Sequence, residues 1–140
     1  MTPLRLDHVN IRTKRVAESI RFYGDALGLK MQPLPGQADL TKGAYALDAG
    51  GVAVVHLIGA EREAEGAAPV RGAAQFGMID HFALRCEDPE LFTNRLTRLG
   101  YDVTRQEVKL INMLLLFVRD PNGVLVELAF PLAPPAAFGP

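Results

Sequence analysis

The chain has one cysteine, no tryptophan and only three histidines. Cys86 alone cannot make an internal disulfide, so nothing in the chain requires an oxidising compartment. An excess of one charge sign is also missing. Lys and Arg number 15 against 16 Asp and Glu, a formal net charge of −1. That balance removes the electrostatic footing of a nucleic-acid or polyanion binder, though not of a local basic spot around a small anion. No apolar run approaches the roughly 20 residues of a membrane helix. The start, Met1-Thr2-Pro3-Leu4-Arg5, lacks the apolar stretch of a signal peptide. The expectation is a cytoplasmic protein with no membrane and no nucleic-acid partner.

What remains is ordinary in amount and unusual in arrangement. The 140 residues are 49% apolar and 22% charged, the profile of a single globular domain and too apolar for disorder. The chain is written twice. Leu6-Asp7-His8-Val9-Asn10-Ile11-Arg12 returns 73 residues later as Ile79-Asp80-His81-Phe82-Ala83-Leu84-Arg85. Leu27-Gly28-Leu29 returns after 72 residues as Leu99-Gly100-Tyr101, and Asp48 and Gly51 return at the same spacing as Asp120 and Gly123. Val54-Val55-His56-Leu57 lies over Leu125-Val126-Glu127-Leu128, now 71 residues away. The slow drift is that of two copies with small loop changes.

Each copy reads as a strand, a helix and three strands. Leu6 to Arg12 alternates with period two, as a strand with one face on a core does. Val16, Ile20, Tyr23 and Leu27 recur at helical spacing, and Gly28 follows where a left-handed cap is cheapest. In the second copy Asp88-Pro89-Glu90 opens a helix with the apolar stripe Phe92, Leu96 and Leu99, and Gly100 ends it. Strands are expected near 43–48 and 52–58, and again near 111–119 and 123–130, with Asp120-Pro121-Asn122-Gly123 as the turn between the last two. The predicted fold class is α+β, two βαβββ modules forming a curved, cavity-enclosing mixed sheet. The repeats run over about 4–58 and 78–130 within one domain of residues 1–140. An Ala- and Gly-rich exposed linker over 59–77 and a proline-bearing tail over 131–140 complete it.

All three histidines occupy repeat-related places. His8 and His81 share a position in the first strand, and His56 is matched by Glu127 in the last. All four are side-chain types that bind transition metals, set here in apolar strands. Strand alternation turns Val9, Ile11, Phe82 and Leu84 toward the helices and the four candidates the other way. If the sheets curve toward each other, the four converge. A carboxylate between Val126 and Leu128 is costly to bury unpaired, and a divalent cation among imidazoles relieves that cost.

The segments Leu6-Asp7-His8-Val9, Ser19-Ile20-Arg21-Phe22-Tyr23 with Leu27-Gly28-Leu29, Ile79-Asp80-His81, and Phe117 to Gly123 with Val126-Glu127-Leu128 together resemble the vicinal oxygen chelate superfamily. That superfamily includes glyoxalase I, methylmalonyl-CoA epimerase, extradiol dioxygenases, and the fosfomycin and bleomycin resistance proteins. The resemblance spans roughly residues 4 to 130. It implies paired βαβββ modules around one divalent transition metal (Zn, Ni, Mn, Fe or Co) held by His8, His56, His81 and Glu127. In glyoxalase I and the epimerase the ligand at the His56 position is typically Glu or Gln, so His56 departs from that pattern.

The family chemistry is chelation of two neighbouring oxygens of a small-molecule substrate, which stabilises the charge developing on them. Four protein ligands on a six-coordinate ion leave two open positions. That favours an isomerase, epimerase or lyase passing through an enediolate. A ring-cleaving dioxygenase is the alternative, with His8, His81 and Glu127 as two histidines and one carboxylate. A non-catalytic binder of the bleomycin-resistance type is the third reading. Glu127 is the expected general base, with Tyr45 and Tyr101 as weaker candidates. Arg12 and Arg85, on the cavity-side parity, are candidates to clamp a substrate carboxylate or phosphate. Asn10, two residues from His8 on the same face, and Asn112 are candidates to hydrogen-bond substrate. Cys86 reads as a small hydrophobe. A homodimer is expected.

Overall fold

Glycines end both helices as the sequence predicts. In the computed structural model, which describes residues 1–60, 79 and 81–132, Gly28 and Gly100 take φ of 81° and 86°. Leu29 N donates to Tyr23 O and Tyr101 N to Leu96 O, so carbonyls at both helix ends find partners. The chain divides into two compact units, Met1–Gly72 and Ala73–Pro140.

The first unit runs β1 (Val9–Thr13), α1 (Val16–Arg21), β2 (Lys30–Pro33), β3 (Gly43–Leu47) and β4 (Ala53–Gly59). Its sheet has the order β1-β4-β3-β2, parallel between β1 and β4 and antiparallel elsewhere. The second unit repeats the plan with β5 (His81–Arg85), α2 (Pro89–Arg98), β6 (Thr104–Val108), β7 (Met113–Arg119) and β8 (Leu125–Pro131), in the order β5-β8-β7-β6. The parallel pair is again the first and last strands. Both units are thus four-stranded mixed sheets with one helical segment each, the α+β pattern expected.

Three details differ from the sequence reading. His8 stands one residue ahead of β1, which begins at Val9. After Arg21 the first helix widens into a π-helical turn over Phe22–Ala26, with Leu27 N bonded to Phe22 O. The extra residue turns both Phe22 and Tyr23 inward. Ser19, Phe22, Tyr23 and Ala26 are fully buried, while Val16 and Ile20 of the predicted stripe are half-buried. In α2, Leu96 is buried and Phe92 packs on Phe130 with ring centroids 5.7 Å apart, but Leu99, one residue past the helix, is 46% exposed. Asp88 caps α2, its carboxylate accepting from Leu91 N.

Each sheet is apolar on the face toward its helix. Ile11, Ala44, Ala46, Val55 and Leu57 fill the first core; Leu114, Leu116, Val118, Val126 and Leu128 fill the second. The opposite face of each sheet carries most of the candidate site residues. Beyond Ala60 the predicted linker, and beyond Leu132 the predicted tail, lie outside the described residues.

Candidate metal centre

On the first unit's open face, pairing aligns Asn10, His56, Tyr45 and Gln32 in one row across β1, β4, β3 and β2. On the second unit the row at the same place is Ala83, Glu127, Phe117 and Thr104. The His56–Glu127 equivalence read from the sequence is therefore a structural one, and each stands beside an aromatic ring on the neighbouring strand.

The candidate ligands come as one pair per unit. In the first, the rings of His8 and His56 stack with centroids 3.8 Å apart and planes 10° from parallel. Tyr45 stacks on the other side of His56, at 4.0 Å and 23°. His8 Nδ1 donates to Asp7 Oδ2 at 2.7 Å. A carboxylate can only accept, so the proton sits on Nδ1 and the lone pair of a neutral ring on Nε2. Metal-binding histidines are commonly oriented by this carboxylate–histidine contact. The same hydrogen bond holds the Asp7 carboxyl below its usual range. His56 Nε2 donates to the Ala53 carbonyl at 3.2 Å, next to a register shift between β3 and β4, which leaves Nδ1 as its acceptor nitrogen. Partial burial, then the neighbouring His8, push His56 below the usual imidazole range and favour its neutral form.

In the second unit His81 Nε2 lies 2.8 Å from Glu127 Oε2. The Glu127 side chain is 15% exposed and that of His81 35%. Phe117 meets the His81 ring edge-on at 6.1 Å. This pairing resolves the burial cost that the sequence posed for Glu127.

The donor chemistry fits a divalent transition metal: imidazoles, a carboxylate, and a carboxylate partner behind His8. His56 fits least as it stands. Two rings that are nearly parallel carry in-plane lone pairs that run side by side, so one ring must turn before both can meet a single ion. Among the described residues, no three of His, Cys, Asp and Glu stand together as a cation site.

Of the remaining candidates, Asn10, Arg12 and Arg85 lie on strands and Asn112 does not. Arg12 is exposed on β1, two residues beyond Asn10. Arg85 holds the matching place on β5, with Nη1 3.7 Å from Met113 Sδ. Asn112 sits outside the strands, at φ 55° in the turn before β7, where its carbonyl accepts from Leu132 N. Asparagine tolerates that left-handed backbone better than most residues, a conformational reason for its presence. The stretch 109–111 is a 3-10 turn with Leu110 fully exposed, so the predicted apolar wall begins only at Met113. The sequence offered Tyr45 only as a weaker candidate for the general base; the structure makes it the stacking partner of His56. Phe117 was missed, because only cross-strand register places it beside Glu127.

Two mixed βαβββ sheets with metal-type donors on their open faces define a duplicated α+β protein of the vicinal-oxygen-chelate kind. The chain belongs to the Glyoxalase/Bleomycin resistance protein/Dioxygenase superfamily, whose family model matches residues 5–128. Among solved structures it is similar to a putative glyoxalase family protein from Bacillus anthracis, with a TM-score of 0.68 and 19% identity, over 94% of this chain and 98% of that one. It is also similar to lactoylglutathione lyase from Agrobacterium tumefaciens, with a TM-score of 0.62 and 21% identity, over 93% and 96% of the chains. The fosfomycin resistance protein FosX from Listeria monocytogenes gives 0.64 and 15%, over 93% of each. At these identities the likeness is one of fold. No curated protein matches the sequence.

Proposed function

We propose that this protein is a metal-dependent enzyme that chelates two neighbouring oxygens of a small substrate, of the isomerase, epimerase or lyase type, and works as a homodimer. The supporting observation is the pair of repeat-equivalent donor sets, His8 with His56 and His81 with Glu127, each on the open face of its sheet. A divalent ion held by these side chains would supply Lewis-acid stabilisation of the negative charge that an enediolate places on its two oxygens. The protein's own part is proton movement and placement. Glu127 Oε2 takes the proton from the carbon beside the oxygens and returns it to the neighbouring carbon, and His81 steadies the carboxylate between the two transfers. Arg12, Arg85, Asn10 and Asn112 are the candidates to bind substrate.

One observation favours a second reading. His56 is sandwiched between His8 and Tyr45 and bonded to Ala53, which leaves His8, His81 and Glu127 as the donors. Two histidines and one carboxylate are the usual set for an iron dioxygenase, and the substrate would then be a catechol.

Elemental analysis of protein purified without added metal, repeated on Glu127→Ala, tests the ligand assignment. Stoichiometric metal lost on substitution supports it, and metal retained unchanged contradicts it. Wild-type protein that takes up no divalent ion at all is a non-catalytic binder. Turnover of methylglyoxal with glutathione, against a panel of catechols, separates the two enzyme readings.

A further inference from the structure

His56 is held on both faces. Its ring lies between that of His8, with centroids 3.8 Å apart and planes at 10°, and that of Tyr45, at 4.0 Å and 23°. Strand register brings the last two together, because Tyr45 on β3 pairs with His56 on β4. Both are half-buried. The edge of the imidazole is held as well, by the bond of 3.2 Å from Nε2 to the Ala53 carbonyl. An imidazole offers its lone pair in the plane of its ring, so His56 meets an ion shared with His8 only by turning out of this stack. That turn ends the contact with the Tyr45 face, and one aromatic pair shifts an equilibrium by up to about tenfold.

From this arrangement we infer that Tyr45 is a positioning residue that sets the metal preference of the site, by holding His56 back from the ion. This role rests on the chelation reading and adds metal selectivity to it. Its direction is the same whether or not His56 is a ligand in the wild-type protein. If His56 binds, part of the binding free energy goes into breaking the stack. If His56 stands aside, the stack is what keeps it there. Without the Tyr45 ring an imidazole is released in either case. An added nitrogen donor strengthens the binding of Ni²⁺ far more than that of Mn²⁺, which is better suited by carboxylate, carbonyl and water oxygens. Tyr45 therefore biases the protein toward oxygen-preferring ions.

The test uses two ringless variants, Tyr45→Leu and Tyr45→Val, and Tyr45→Phe, which keeps the ring. Valine suits a strand, so the pair guards against one of them failing to fold. Affinities for Ni²⁺ and Mn²⁺ are measured by competition with a chromophoric chelator. The His56 ring protons, assigned by their loss in His56→Ala, are followed by NMR in metal-free protein. Protons over an aromatic face are shielded, so both ringless variants should move them downfield, and Tyr45→Phe should leave them near their wild-type positions. The ringless variants should bind Ni²⁺ about five- to tenfold more tightly than the wild type and Mn²⁺ within about twofold of it. Tyr45→Phe should leave both affinities within about twofold. In the His56→Ala background the gain in Ni²⁺ affinity should vanish, which a merely structural role for Tyr45 would not produce. Unmoved ring protons, equal gains for the two ions, or a Ni²⁺ gain that survives His56→Ala overturns the inference. Metal bound equally well by the wild type and the ringless variants overturns it too, and leaves chelation standing. Ring protons that move, with no uptake of either ion by any variant, overturn chelation and the metal preference together.

Discussion

Asp48 and Asp120 stand at the same place in the two units and make the same bonds. Asp48 Oδ1 accepts from Gly50 N and Val52 N, each at 2.9 Å; Asp120 Oδ1 accepts from Asn122 N at 2.8 Å and Val124 N at 2.9 Å. In both, the next-to-last turn residue is a glycine in the left-handed region, Gly51 at φ 80° and Gly123 at φ 84°. These turns join β3 to β4 and β7 to β8, so they set the register that carries His56 and Glu127.

The two turns should differ in weight. Asp120 is only 4% exposed and Asp48 half-buried, so loss of the carboxylate strands better-buried N–H groups in the second unit. Asp120→Ala should cost about 2–3 kcal/mol and Asp48→Ala about 1 kcal/mol, read from urea unfolding at neutral pH. A larger loss at Asp48 would contradict this account of the turns.

Gly43 should tolerate no side chain. It lies at φ 139° in β3, and a Cβ there would stand 2.1 Å from the Leu57 carbonyl oxygen. That neighbour is backbone of the paired strand and cannot swing away. Gly43→Ala should destabilise the protein by more than about 2 kcal/mol in thermal melts. An unchanged melting temperature would mean that β3 and β4 can part locally at low cost.

Asp7 should act on metal through His8. Asp7→Ala leaves the fold intact, because the side chain is exposed, but frees the imidazole to rotate and exchange tautomers. Affinity for a divalent ion, measured by competition with a chromophoric chelator, should fall roughly ten- to hundredfold. Equal affinity in the variant would show that Asp7 has no orienting role.

Substitution of His56 separates the two enzymatic readings. His56→Ala should empty the site if four side chains bind the ion, and leave its occupancy near wild type if His8, His81 and Glu127 suffice. Elemental analysis of the purified variant reads the outcome directly.

Cys86 should be a slow thiol. Burial pushes its pKa up to about 11, and Sγ lies 3.7 Å from the Leu84 carbonyl. At pH 8 only about one molecule in a thousand carries the thiolate, so alkylation by iodoacetamide should quicken about tenfold per pH unit toward pH 11. The folded state holds this proton more tightly than the unfolded chain. Its contribution to stability is therefore complete below the unfolded pKa and lost as pH rises from about 9 to about 11. Fast labelling of native protein at pH 8 would refute the burial of this thiol.

The sequence by itself determined the duplication, the helix ends, the two aspartate turns and the pairing of His8 with His81 and of His56 with Glu127. These are local or periodic signals. A glycine after an apolar stripe and an aspartate before a turn act within a few residues, and a repeat declares itself by spacing. β2 and β6 were not located, because Lys30–Pro33 alternates weakly and Thr104–Val108 is nearly all exposed. An edge strand with little to bury has no hydrophobic period to read. Only tertiary structure decided what touches what. The π-turn that swings Phe22 inward, the stacking of Tyr45 on His56 and the close approach of His81 to Glu127 all follow from cross-strand register and packing. Those contacts join residues far apart in the chain, and no one-dimensional spacing contains their geometry.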